Sequence, residues 1–347
     1  MAVTPLAYGD GMATDLLATD EHHHQAAPTA SSHPPPMTCS VGTLNPAQQD
    51  VLDILGACGD ELPQFDPMLR HKLQAELEAG TCTTLADLPD GETLCLSKHQ
   101  LTAVHGCEAR LVAEREVPFE WTAPLARGAV AHKAIELSVF MGASTPPIVL
   151  VEEAMASLCR NESGLADWLR RIAPRERAEL QLEANDRVSK FVECFPPLKS
   201  NWVPVTESRL RVELFEGRIL LLGRVDLTLG RAQGTTAKKV IIDLKTGGFA
   251  PHHIDDLRFY ALLEALRVGV PPRLVATYYL DSGRPYAERV TEAVLRAAVA
   301  RVRDGAQRLV GLLHGSQTPN KRAGAPCRWC PIRAGCPEAG AFLEDEP

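Results

Sequence analysis

Between residues 207 and 245 the spacing of the hydrophobic residues changes from the helical repeat of about 3.6 residues to the two-residue repeat that is typical of strands. Three segments alternate in this way: SRLRVELF, RILLLGRVDLTL and KVIIDLKTGG. Glu216 and Gly217 form a turn between the first two segments, and a loop containing Gly and Thr joins the second to the third. The sequence therefore predicts a three-stranded antiparallel meander.

Helical periodicity dominates the residues before the meander. The segment LSKHQLTAVHGCEARLVAE has Ser97 and Gln100 at the spacing of a capping box. This spacing predicts one helix that starts there and carries Cys107. Two further helical segments are expected, at residues 127–140 and 151–195.

After the meander the pattern changes between helix and strand. DDLRFYALLEALR predicts a helix, and LVATYYLD predicts a strand. A long helix is expected to start near Thr291 and to run into a group of cysteines near the C-terminus. This order predicts an α/β (α+β) fold, in which a mixed sheet containing the antiparallel meander is flanked by helices and extended by a helical elaboration.

The predicted domain boundaries follow the composition. Residues 1–46 are rich in Ala, Thr, Ser, Pro and His and offer little apolar surface to bury, so a disordered low-complexity tail is expected. The remainder is expected to form one domain at residues 47–340, followed by a short tail at 341–347. Within this domain we expect a helical part, a catalytic core, and a C-terminal helix with the cysteine cluster, at residues 47–200, 201–290 and 291–340.

Charge and composition restrict the possible functions. A net charge of −8 and a pI near 5.8 argue against a protein that coats nucleic acid, since such binding depends on many Lys and Arg residues. The sequence has no G-x-x-x-x-G-K-[ST] pattern, so any helicase that works with this protein is expected to be another chain. Neither a signal peptide nor a membrane span is apparent, and a cytoplasmic location without membrane association is expected.

Two carboxylates and a lysine are expected to come together on the meander. Because strand side chains alternate between faces, Asp243 and Lys245 share one face of their strand, and Asp226 lies on the adjacent strand. A buried group of this kind is costly unless something compensates its charge, and oxygen ligands suit Mg²⁺ or Mn²⁺. The alternative is a set of surface ion pairs with little energetic value.

The order of these residues resembles that of a known family. G-R-V-D followed by D-L-K-T-G resembles the RecB-like branch of the PD-(D/E)XK nuclease superfamily. An upstream helix with Gly128 and His132 matches the G-x-x-x-H pattern of this branch. The helix after the lysine usually carries Q-x-x-x-Y. Tyr260 matches the tyrosine, whereas Asp256 stands in place of the glutamine and Arg258 lies nearby.

The resemblance implies a PD-(D/E)XK core of the restriction-endonuclease type and a role for each matching residue. Asp226, Asp243 and His132 would bind Mg²⁺ or Mn²⁺, Lys245 would position the attacking water, and Tyr260 would support the site or contact DNA. The implied activity is metal-dependent hydrolysis of phosphodiester bonds.

Three cysteines lie close together near the C-terminus, in CRWCPIRAGCP. Cys327, Cys330 and Cys336 follow the pattern C-x2-C-x5-C, and in a reducing compartment such a cluster favours a metal site over disulfides. Metal centres of this kind usually take four protein ligands, so one partner must come from elsewhere in the chain. The candidates for the fourth ligand are Cys107, Cys95 and, for a zinc site, His105 or His314, and the remaining alternative is three thiols without a metal.

The resemblance extends to these cysteines. A subset of RecB-like nucleases, including the AddB-type repair nucleases and the CRISPR-adaptation exonucleases, binds a 4Fe-4S cluster through one cysteine before the nuclease core and a C-x2-C-x5-C group after it. Cys107 lies where the upstream ligand belongs, whereas Cys95 precedes the capping box. The resemblance therefore implies a C-terminal iron–sulfur clamp with four ligands, Cys107, Cys327, Cys330 and Cys336.

We therefore expect a metal-dependent DNA nuclease that acts as an exonuclease in DNA repair or recombination, with DNA as its partner. Glu136 and Glu207 could each support the metal ligands from behind or lie at the surface, and for both a surface position is expected. The competing hypothesis is a noncatalytic DNA-binding subunit of a repair or CRISPR-adaptation complex that carries the cluster or zinc. The set of Asp226, Asp243 and Lys245 argues against it, because an inactive module has no physical need for a buried carboxylate pair.

Overall fold

The computed structural model of the chain describes residues 44–56, 61–142, 144–161 and 163–345. The tail expected at residues 1–46 therefore lies outside the described residues except at its end, and so do residues 346–347. Helix α1 begins at Pro46, where Asn45 caps it by accepting the N–H of Gln48 at 2.9 Å. The Asn45 side chain also donates to the Glu193 carbonyl at 2.8 Å, which fixes this end of the chain to helix α8.

Eleven α-helices and six strands form the described part of the chain. The helices are α1 Pro46–Ile54, α2 Leu69–Ala86, α3 Lys98–His105, α4 Glu108–Arg115, α5 Ala123–Met141, α6 Pro147–Arg160, α7 Gly164–Arg171, α8 Pro174–Cys194, α9 His253–Val268, α10 Glu292–Leu313 and α11 Pro337–Glu344. The strands are β1 Leu94–Ser97, β2 Val205–Leu214, β3 Ile219–Leu229, β4 Val240–Lys245, β5 Leu274–Tyr279 and β6 Arg284–Arg289. Within these residues no helix combines the length and the apolar character that a bilayer span requires.

The six strands form one mixed sheet. β2 pairs antiparallel with β3, and β3 pairs antiparallel with β4, so the predicted meander is confirmed. β4 pairs in parallel with β5 through the crossover helix α9, and β5 pairs antiparallel with β6. The expected α/β (α+β) fold, with a mixed sheet flanked by helices, is therefore confirmed.

Two strands have no counterpart in the predicted order. β1 has four residues, too few to show a clear alternation, and the capping box at Ser97 and Gln100 follows at once. β6 carries several polar and exposed residues, as is common for a strand at the edge of a sheet. Because β1 pairs in parallel with β3, the part expected to be helical at residues 47–200 also contributes to the sheet.

The two edges of β3 determine where the sheet opens. β2 pairs with β3 along most of the length of β3 and so occupies one edge of β3. The other edge is shared, because β1 pairs with residues 219–222 and β4 pairs with residues 227–229. Residues 223–226 lie between these two partners, and the sheet forks there. Among the described strands none pairs with residues 223–226 on this edge, so other groups can approach the fork.

Two hydrophobic clusters cover the two faces of the sheet. Helices α2, α3, α9 and α10 contribute to the cluster that contains Leu221, Ile241 and Val275. Helices α5, α6 and α8 contribute to the cluster that contains Ile242 and Leu244. Neighbouring residues of β4 thus point to opposite faces, as strand geometry requires. The fork can therefore receive side chains from helices of both layers.

The helices near the cysteines differ from the predicted pattern. The segment expected to form one helix from Ser97 through Cys107 forms two, because Gly106 ends α3 and Cys107 becomes the N-cap of α4. Helix α10 ends at Leu313 and does not run into the cysteine group. Helix α11 continues past position 340, where the domain was expected to end. The C-terminal cysteines consequently lie on short turns between α10 and α11.

Candidate active site

A row of three carboxylates crosses the sheet at the fork. The pairing register puts Glu207 of β2 opposite Asp226 of β3. The register between β3 and β4, continued one residue beyond its last pair, puts Asp243 opposite Asp226 on the other side. Opposite residues have Cβ atoms about 5 Å apart, so the row concentrates negative charge. Glu207 also has a φ of 52°, a strained conformation for a residue with a side chain.

Helix α5 adds a histidine to this row. His132 Nδ1 lies 3.3 Å from Asp226 Oδ1. Ligand atoms of His132, Glu207 and Asp226 all lie within 4.8 Å of one another, which is close enough to hold one metal ion. One turn earlier, a Cβ on Gly128 would lie 3.2 Å from Thr246 Oγ1. The glycine therefore lets α5 approach the end of β4 and brings the histidine to the carboxylates.

The Asp226 carboxylate also accepts a hydrogen bond from a backbone N–H group where β3 and β4 diverge. Its Oδ2 accepts the N–H of Leu244 at 2.7 Å. This bond fixes the orientation of the carboxylate, while Oδ1 faces His132. Burial disfavours a charged imidazole, but the nearby Asp226 carboxylate outweighs burial and raises the pKa of His132 above its ordinary value.

Asp243 is compensated by two lysines. Its side chain is 0% exposed, Lys98 Nζ donates to Oδ1 at 2.8 Å, and Lys245 Nζ lies 2.7 Å from Oδ2. Burial alone would raise the pKa of Asp243, but the two ammonium groups outweigh burial and hold its pKa well below the usual range. Asp243 is therefore a charged carboxylate at neutral pH.

Helix α9 supplies a further acid behind Lys245. Asp256 Oδ2 lies 3.9 Å from Lys245 Nζ, and Thr102 of α3 donates to Asp256 Oδ1 at 3.0 Å. Burial raises the pKa of Asp256, although Lys98 and Lys245 both oppose this shift. Asp256 stands where the resembling family has glutamine, and here its carboxylate links α3, α9 and the lysine of β4.

Tyr260 is buried at the base of the fork. Its ring lies below Lys98, whose Nζ is 5.0 Å from the ring centre. Gly223 makes room for the ring, since a Cβ there would lie 2.9 Å from Tyr260 Cε1. The Tyr260 side chain is only 1% exposed, so this position suits support of the site and does not suit contact with DNA.

Two residues of the site were not predicted from the sequence. Lys98 lies in the first turn of α3 and belongs to no motif, so no local pattern marks it as a site residue. Glu207, expected at the surface, is instead part of the possible metal-binding group. The predicted turn at 216–217 already implies the register that puts Glu207 opposite Asp226. Glu136 pairs with Lys133 at 2.9 Å on α5.

The four cysteines of the expected cluster line one cavity. The cavity has a volume of about 410 Å³, and Cys107, Cys327, Cys330 and Cys336 are all on its wall. The chain between α10 and the cysteine group is fixed by Glu108, which is buried beside Cys107. Glu108 Oε2 accepts the N–H of Asn320 at 2.8 Å and a bond from the Gln317 side chain at 3.3 Å.

Two of the competing fourth ligands, Cys95 and His314, do not line this cavity. Cys95 lies in β1 opposite Leu220, and His314 Nε2 lies 3.7 Å from Glu92. His105 does line the cavity, but its Nε2 is 2.9 Å from the Arg301 carbonyl and its Nδ1 is 3.4 Å from Asp304 Oδ2. The side chain of His105 is thus engaged on both nitrogens.

Comparison with known proteins identifies the family. The chain matches the PD-(D/E)XK nuclease superfamily over residues 95–337, which is well over half of its length. The chain belongs to the PD-(D/E)XK nuclease superfamily, whose members are hydrolytic nucleases that use divalent metal ions. No curated protein sequence matches the chain significantly.

Two solved structures resemble the chain at low sequence identity. The crystal structure of SSO0001 is 15% identical, with a TM-score of 0.33, and the match covers 77% of this chain and 96% of that one. The crystal structure of a "putative exonuclease" from Eubacterium rectale is 12% identical, with a TM-score of 0.44, and the match covers 79% of this chain and 93% of that one. Both TM-scores are below 0.5, so neither likeness supports a statement about function.

Proposed function

We propose that the protein is a divalent-metal-dependent DNA nuclease that acts on DNA ends as an exonuclease. The main observation is the group of His132, Glu207 and Asp226, whose ligand atoms lie within 4.8 Å of one another. Asp243 and Lys245 lie next to this group on β4. Membership of the nuclease superfamily supports hydrolysis of phosphodiester bonds as the reaction.

The roles of the side chains follow from their chemistry. His132, Asp226 and Glu207 would hold the metal ion, and such a donor set suits Mg²⁺ or Mn²⁺. Asp243 would join them as the resemblance implies, with its carboxylate turning from Lys98 or Lys245 toward the ion. When bound, such an ion lowers the pKa of a water molecule and neutralises a phosphodiester oxygen. The Lys245 ammonium, held by Asp243 and Asp256, would orient the attacking water.

We further propose that Cys107, Cys327, Cys330 and Cys336 hold a 4Fe-4S cluster. Four thiols on one cavity fit the thiolate ligation of such a cluster. A structural zinc ion is the alternative, because thiolate ligands suit both metals.

The setting of this activity is also a proposal. A cytoplasmic nuclease of DNA repair or recombination fits the absence of an NTP-binding motif if a separate helicase subunit supplies unwound DNA. The alternative is a noncatalytic subunit that binds DNA through the same fold. The compensated carboxylate row favours catalysis, because charged groups held at a sheet fork are costly to keep without a role.

The test is a cleavage assay on end-labelled single and double strands with Mg²⁺, with Mn²⁺ and without added metal. We expect cation-dependent release of short products from the ends, and a loss of at least 100-fold in rate for Asp243→Asn and Lys245→Met. Asp167→Asn, which alters a surface ion pair on α7, serves as the control and should keep full activity. A fully active Asp243→Asn protein would contradict the assignment, and DNA binding without any cleavage by the wild-type protein would favour the noncatalytic subunit.

A further inference from the structure

The sheet face that carries the catalytic residues continues toward the edge strand. Asp243 of β4 is opposite Thr277 of β5, and Thr277 is opposite Tyr286 of β6. In the next row Lys245 is opposite Tyr279. Directly opposite residues share a face, and adjacent strands lie about 4.8 Å apart, so Tyr286 is roughly 10 Å from Asp243. The face is continuous from the proposed metal site to β6.

An aromatic cluster occupies the far part of this face. The ring of Tyr279 lies 5.6 Å from that of Tyr286, and the ring of Phe249 lies 6.3 Å from Tyr279 and 5.9 Å from Tyr286. His253 Nδ1 is 2.8 Å from the Tyr279 hydroxyl and fixes the buried ring from the start of α9. The outer two rings are left open, with Phe249 65% and Tyr286 59% exposed.

The two exposed rings lie close to the proposed catalytic residues. Phe249 follows β4 by only a few residues, so the turn that follows Lys245 leads to Phe249, and Tyr286 joins it from β6. A DNA strand whose phosphate lies at the carboxylates would extend its neighbouring bases over this face. Aromatic rings beside a backbone-binding site stack with bases of any identity, because every base has a π-face.

We propose that Phe249 and Tyr286 form a stacking platform for an unpaired base that flanks the scissile phosphate. The inference rests on the proposed nuclease function and extends it to the substrate class, a single-stranded or frayed DNA end. A base inside a duplex is already stacked and paired, so a platform of this kind favours a strand that has separated from its complement.

The test measures binding of a fluorescent oligothymidylate and of an abasic strand with the same backbone, without added divalent cation. Phe249→Ala and Tyr286→Ala should each weaken binding of the base-containing strand by about 5-fold or more and leave binding of the abasic strand unchanged. Phe249→Trp and Tyr286→Phe should keep the affinity, because both retain an aromatic ring. Phe140→Ala, which removes a 75% exposed ring at the end of α5, should change neither affinity.

A spectroscopic measurement gives an independent result. The fluorescence of the tryptophan introduced by Phe249→Trp should be quenched by the base-containing strand and not by the abasic strand. Equal affinity of the wild-type protein for both strands would overturn the platform. Equal losses of affinity for both strands in the alanine variants would do the same, and the exposed rings would then be assigned to binding of a protein partner. Cleavage by the wild-type protein is scored separately, so base-dependent binding without cleavage would refute the nuclease and retain the platform.

Discussion

The carboxylate of Asp243 is compensated by Lys98 and Lys245, and this arrangement ties its charge to the positions of helix α3 and strand β4. Removing one partner from a fully buried ion pair typically costs about 3–5 kcal/mol, because the remaining charge is left uncompensated. Here one ammonium group remains beside Asp243 after either lysine is removed, so the cost at this site should fall toward the lower end. A bound divalent cation would offset the same charge.

Glu207 offers a direct test of the carboxylate row. Glu207→Gln keeps the size of the side chain and removes its charge, so we expect the affinity for Mn²⁺ to fall by about 10- to 100-fold. Isothermal titration with Mn²⁺, together with the metal dependence of cleavage, measures this effect. Glu136→Gln is the matched control, because Glu136 pairs with Lys133 on α5 and should leave the affinity unchanged. Equal effects of the two variants would contradict the assignment of Glu207 as a metal ligand.

At the scale of elements, the fork of the sheet depends on a close contact between β3 and α9. Gly223 leaves the space into which the ring of Tyr260 fits. Because a Cβ at this position would lie 2.9 Å from the ring, the helix and the strand could not keep their present separation with a larger residue. The glycine of the G-R-V-D sequence is thus a packing requirement of the site.

Gly223→Ala should lower the free energy of unfolding by roughly 1–3 kcal/mol and reduce cleavage, since the ring that lies under Lys98 must move. Gly248→Ala is the control, because a Cβ there meets no atom within 4 Å. Urea unfolding of both variants measures the difference. A Gly223→Ala protein as stable and active as the wild type would show that the fork tolerates a wider separation.

The elements also show how far the sequence predicts this fold. The meander was predictable because alternating residues and the 216–217 turn specify both the strands and their register. β1 was not, since its pairing with β3 depends on residues more than a hundred positions away. The break at Gly106 was masked by helical periodicity on both sides. Lys98 reaches Asp243 only through the tertiary position of α3, which no local pattern encodes.

At the scale of the whole molecule, the cysteine cavity joins the chain before the core to the chain after it. Cys107 lies at the start of α4, and the other three cysteines follow α10. In the chain-entropy model, closing a loop of this length stabilises the folded state by about 5 kcal/mol. Glu108 already holds the segment that contains Asn320, so the cavity wall is partly organised by hydrogen bonds.

A 4Fe-4S cluster should make the anaerobically purified protein brown, with about four iron atoms per chain and broad absorption near 400 nm. Cys107→Ser, Cys327→Ser, Cys330→Ser and Cys336→Ser should each remove the colour and lower the melting temperature by a similar amount. Cys95→Ser is the control and should change neither, because Cys95 lies in β1. A colourless protein that contains stoichiometric zinc would show that the site binds zinc and not an iron–sulfur cluster.

Helix α3 links the catalytic residues to the cysteine cavity. Lys98 lies in its first turn beside Asp243, Thr102 bonds to Asp256 one turn later, and Cys107 follows its end. Its eight residues form a rod of about 12 Å between the two sites. Oxygen that destroyed the proposed cluster would release one end of this rod and disturb the lysine at the other. Air would then inhibit DNA cleavage, although the cysteine cavity and the catalytic residues lie at opposite ends of α3.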